Sequence, residues 1–197
     1  MDILQLKAQH PDEFAREHVR YLEYGLCEDW WEHIYDNFRE ECARKYDLQV
    51  GRIWFSGFYS QGDGAAFDGQ MPFKTFMTLK GFNEKYPALY LHAEELKATA
   101  ESDISHRGSH IRGADLSDMG VSTYPQGAFA LLSEEAWDTL VESDRDAEDW
   151  EAEVTRFFCD LADELYIDLR DEYEYLTSEE AFIESAEINE LTYEVNK

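Results

Sequence analysis

His106 and His110 are the residues whose spacing comes nearest to doing chemistry. They flank Arg107-Gly108, a turn signal, so a hairpin there would bring them together, and with Asp103 or Asp115 they could supply a metal or general-base site; His92 is a further candidate. Zinc needs three or four converging ligands, and this spacing guarantees no convergence. The competing reading is surface histidines beside Arg107 and Arg112. Gln61-Gly62-Asp63-Gly64 has the glycines of a phosphate loop but not its Lys and following Ser/Thr, and Asp63 would repel phosphate, so a hairpin turn is the better reading. Asp63 and Asp68 are two carboxylates with no fixed third metal ligand. The sequence contains no Gly-x-Ser-x-Gly, no His-Glu-x-x-His and no Cys/His nucleophile pair. Cys27, Cys42 and Cys159 are widely spaced, as reduced, half-buried thiols would be. We therefore expect no enzymatic activity, no cofactor and no metal.

Charge points elsewhere. The net charge is −27, and residues 133–197 carry most of it, with 23 acidic and 4 basic side chains against 21 and 13 in residues 1–132. Such a field repels nucleic acid and anionic membranes, attracts basic surfaces and costs stability through self-repulsion. Within it, Asp146, Asp149, Glu153, Asp160, Glu164 and Asp171 would fall in roughly a 60° arc of one helix at about 100° per residue, spread over about 37 Å at ~1.5 Å per residue. A row of carboxylates fixed in this way can stand in for a DNA phosphate strand. The plain alternative is a solvated helix face in an acidic protein.

The elements that must position this row follow from periodicity. Trp150, Val154, Phe157, Phe158, Leu161, Leu165 and Leu169 keep one apolar face, predicting a long amphipathic helix over 146–175. Pro11, followed by Asp12 and Glu13, starts an earlier helix that stops near Gly25. Another runs from Glu28-Asp29 to Arg44-Lys45, burying Trp31, Ile34, Tyr35, Phe38 and Cys42. Residues 53–60 alternate as a strand, and with Ala65-Ala66-Phe67 they predict a hairpin over 53–67 in which the alanines face Trp54, Phe55 and Phe58. Residues 70–80 read as strand or irregular, and a helix is expected within 82–96, entered at Tyr86-Pro87. Lys97–His106 and Ser109–Val121 read as a second hairpin, Ser133 as a helix N-cap, Thr177 or Ser178 as another, and Leu191–Val195 as a closing edge strand. The expected fold class is α+β, a small antiparallel sheet with hairpins near 53–67 and 97–121 covered by helices. At 197 residues, 44% of them hydrophobic, the chain is long enough to bury a core, and we expect one domain over 1–197 with an acidic helical part over 133–186. No run of 18 apolar residues occurs, and Met1–His10 lacks the pattern of a signal peptide, so the expected location is the cytoplasm.

Residues 55–69, Phe-Ser-Gly-Phe-x-Ser-Gln-Gly-Asp-Gly-Ala-x-Phe-x-Gly, resemble the signature of a family of small acidic bacteriophage proteins, some labelled antitoxins. Asp29-Trp30-Trp31, Leu176-Thr-Ser-Glu-Glu-Ala181 and Asn189-Glu190 agree with it, and Arg107–Gly113 departs from it. The resemblance implies a phage origin, acting in the host cell, and carries no activity with it. Together with the charge it leads to the expectation of a non-enzymatic phage protein that binds and inhibits a basic, nucleic-acid-handling or defence protein of the host, of restriction or CRISPR type, by DNA mimicry. It would contact neither nucleic acid nor membrane directly. The alternatives are an antitoxin-like neutraliser of a basic partner and, third, a metal-dependent enzyme using the His106/His110 region.

Overall fold

The computed structural model describes residues 1–60, 63–93, 97–100 and 147–194, and the fold is α+β. The elements are α1 (Ile3–Gln9), α2 (Pro11–Tyr24), α3 (Glu32–Tyr46), β1 (Gln49–Ser56), β2 (Gly64–Pro72), α4 (Phe73–Leu79), α5 (Phe82–Lys85), α6 (Pro87–His92), β3 (Lys97–Ala100), α7 (Ala147–Leu176) and α8 (Glu179–Ile188). They gather into two compact units, one of residues 1–33 with 168–197, the other of residues 34–167.

The first unit is helical. Asp2 and Gln5 form a reciprocal capping box at the start of α1, a helix absent from the sequence reading, which began at Pro11. Ile3, Leu6, Phe14, Phe182 and Ala186 make its core, with Tyr21, Ile183 and Tyr193 packed against them. α7 ends without a basic residue in its last turn. Side chains from α2 meet its terminal carbonyls instead: the Tyr21 hydroxyl donates to Leu176 O at 3.2 Å, and His18 Nε2 lies 3.2 Å from Thr177 O. Trp30 and Trp31 belong to the turn before α3 rather than to the helix, where Glu32 N donates to Asp29 O.

In the second unit the sheet order is β1-β2-β3, all antiparallel. Trp54 pairs with Ala66 and Phe55 with Ala65, so bulky residues oppose small ones, as the sequence led us to expect. The register shifts between Val50 and Ile53, a β-bulge. β1 stops at Ser56, short of the expected 60, because Gly57 takes φ +25 and turns the chain into a loop at 57–60. Residues 70–80 are a correction: β2 continues to Pro72 and α4 follows at once, burying Phe73, Phe76 and Met77. Phe67 links the layers, its ring edge-on to Phe38 of α3 at 5.2 Å and to Phe158 of α7 at 6.0 Å. The second hairpin lies outside the described residues beyond Ala100, as do the histidines at 106 and 110 and the Ser133 helix start.

The closing strand is also corrected. Leu191–Glu194 forms none, since the Leu191 N–H is taken by Ala186 O at the end of α8, and Tyr193 exchanges backbone hydrogen bonds with Met1 alone.

Candidate functional site

The expected helix over 146–175 is α7, and its apolar stripe is buried through Val154, Phe157, Phe158, Leu161, Leu165 and Leu169. That burial fixes the rotation of the helix and so decides which carboxylates face water. The expected row divides along its length. Asp146 and the side chain of Asp149 lie outside the described residues. Glu153 sits at the edge of the stripe, its side chain only 22% exposed and 3.6 Å from the Arg156 guanidinium. Asp160 and Glu164 are exposed. Asp171 belongs to the other unit, where it is paired with Arg170 at 2.8 Å.

Asp163 joins Asp160 and Glu164. At about 100° per residue it lies roughly 60° from Asp160 around the helix, outside the arc the sequence singled out, yet beside it in space. None of the three makes an ion pair or hydrogen bond among the described residues, whereas Glu153 and Glu41 on neighbouring stretches do. Partial burial, and then the charge of Asp160, raise the Asp163 carboxyl above its ordinary value. Glu164 acts on the other side: burial first, and then the fields of Glu164 and Glu41, push the Cys42 thiol up to about 12. The negative potential of this face thus reaches α3.

A hydrophobic residue shares the face. Ile167 is 43% exposed and lies within about 20° of Asp160 around the helix. Next to it in the chain, Tyr166 packs on Phe58 of the 57–60 loop, ring centroids 5.7 Å apart, and Phe58 stacks on Phe55. Neither Asp163 nor Ile167 stood out in the sequence. A wheel that placed the boundary of the apolar stripe, rather than only its centre, would have put both on the solvent side.

Of the remaining candidates, the side chain of His92 and residues 103–115 lie outside the described residues, and Asp63 and Asp68 have local partners. Asp63 accepts the Ser60 N–H at 2.5 Å and closes the loop, and Asp68 pairs with Arg52 at 2.9 Å, so the two carboxylates serve separate partners. No group of three metal-ligating side chains occurs among the described residues. None of the described helices is long and apolar enough to cross a membrane.

No curated protein and no solved structure matches the chain. One family model does, over residues 30–179, from the turn before α3 to the first residue of α8, and it places this chain in the family of a domain of unknown function, DUF8835.

Proposed function

We propose that the protein is a non-enzymatic, phage-encoded binder that inhibits a basic nucleic-acid-handling or defence protein of the host, of restriction or CRISPR type, by offering carboxylates where its target receives DNA phosphates. The observation that carries this reading is the exposed group Asp160, Asp163 and Glu164, without ion-pair partners among the described residues, in which partial burial and then the charge of Asp160 disfavour the ionised Asp163 carboxylate. Along the helix axis the three span about 6 Å at ~1.5 Å per residue. One DNA strand places a phosphate about every 3.4 Å of axis, so the local charge density is that of a phosphate backbone. A cation delivered by a partner would relieve the repulsion, which makes this face better suited to binding than to solvation.

Position, not total charge, is what a target reading phosphates would detect. Reversing Asp160, Asp163 and Glu164 to Lys changes the net charge as much as reversing Glu23, Glu40 and Glu187, which are exposed on α2, α3 and α8. Host proteins captured by the parent chain should be retained by the second variant and lost by the first, with circular dichroism confirming that both are folded. Equal losses would reduce the α7 face to a solvated surface and end the mimicry reading. A captured target that does not itself bind DNA would favour the antitoxin-like neutraliser instead.

A further inference from the structure

We infer that the partner is held on this face by an apolar anchor as well as by charge, Ile167 receiving an apolar side chain of a basic amphipathic segment whose lysines or arginines flank it to meet Asp160 and Asp163. This rests on the reading of the α7 face as a binding surface and adds the chemistry of what it binds. Along α7 from Glu153 to Ile167, Val154, Phe157, Phe158, Leu161 and Leu165 are buried, and Ile167 is the large aliphatic left in water among the described residues of that stretch. It is β-branched, a poorer helix former than Leu or Ala, so a face meant only for solvation gains nothing from it. Its place is also particular. Asp163 precedes it by four residues and Glu164 by three, spacings that make them neighbours on the helix surface. Tyr166 beside it rests on Phe58, and Tyr59, the next residue of that loop, is 73% exposed. Each ring of the Phe58–Tyr166 contact is thus followed in the chain by an exposed, largely apolar side chain. The charge complementarity selects the occupant, since an acidic or neutral apolar segment would desolvate Asp160 and Asp163 without compensating them.

Pure phosphate mimicry and an anchored interface differ in what they ask of a ligand. Two synthetic peptides of equal positive charge separate them, an amphipathic lysine/leucine peptide and an oligolysine, each titrated into the full chain by calorimetry. The anchor requires the amphipathic peptide to bind about tenfold tighter or more, the scale on which burial of one aliphatic side chain acts. Ile167→Ser should abolish that preference and leave oligolysine binding unchanged, Ile167→Leu should keep it, and Leu91→Ser, which alters another exposed aliphatic at 74%, should keep it too. Asp160→Asn with Asp163→Asn should weaken both peptides. Equal affinity for the two peptides, or a preference that survives Ile167→Ser or is lost in Leu91→Ser, overturns the anchor. If the asparagine variant weakens neither peptide, the reading of the acidic face itself fails.

Discussion

Asp63 is engaged by the backbone of its own loop. Its Oδ2 accepts from Ser60 N, and a Cβ built on Gly57 would lie only 3.0 Å from that oxygen, at a backbone φ of +25 that side chains rarely adopt. Gly57→Val therefore meets strain and a collision together, and should lower stability by about 2 kcal/mol. On a chain of this length that is a fall in melting temperature of roughly 4–8 °C, read by thermal unfolding. Asp63→Asn keeps an acceptor and should cost less than about 1 kcal/mol while leaving partner binding intact. Abolished binding in a folded Asp63→Asn protein would return the loop to the list of functional sites. Asp163 is a carboxylate whose folded environment disfavours its charge. With the folded value raised above the unfolded one, ionisation of Asp163 weakens the fold at neutral pH, and the penalty disappears as pH falls below the unfolded value. Asp163→Asn should thus be stabilising at pH 7 by no more than about 0.5 kcal/mol, and neutral at pH 3, as chemical denaturation at the two pH values would show.

At the scale of elements, the two ends of α8 make separable contributions. Ser178 caps the N-terminus by accepting from Ala181 N at 3.1 Å, and Ser178→Ala should cost about 1 kcal/mol. The C-terminus closes with Leu191 N to Ala186 O and Glu190 N to Glu187 O around Glu190 at φ 50, a geometry that glycine adopts without strain. Glu190→Gly should therefore stabilise by about 0.5–1 kcal/mol, a gain that Glu190→Ala should not give. These ends also show where the sequence was legible. Ser178 could be read as a cap, and α7 could be read within one residue at each end, because a single apolar face persists over many turns. Phe73, Thr75, Met77 and Leu79 alternate like a strand, but Phe73, Phe76 and Met77 also fit the helical spacing, and burial selects the helix. The closing strand expected at 191–195 is absent over the described residues 191–194 for a hydrogen-bond reason: the helix cap uses the Leu191 donor first. The site was legible only in part. Asp160 and Glu164 could be found by helical periodicity, whereas the loss of Glu153 to Arg156 and the entry of Asp163 and Ile167 depend on how far the apolar stripe is covered.

For the whole molecule, a net charge of −27 is a standing cost in self-repulsion, and α7 concentrates it with eleven acidic and two basic side chains. Under the proposed mimicry that concentration has a purpose, and the proposal restricts how a partner can bind: chain and DNA would have to exclude each other from the same positive groups. The most direct measurement is a competition titration, in which duplex DNA is added to the complex of the chain with its captured partner and the released chain is followed by fluorescence anisotropy. The account predicts complete displacement at saturating DNA, with no ternary species. A stable ternary complex, with chain and duplex both bound to one partner at full occupancy, would contradict it.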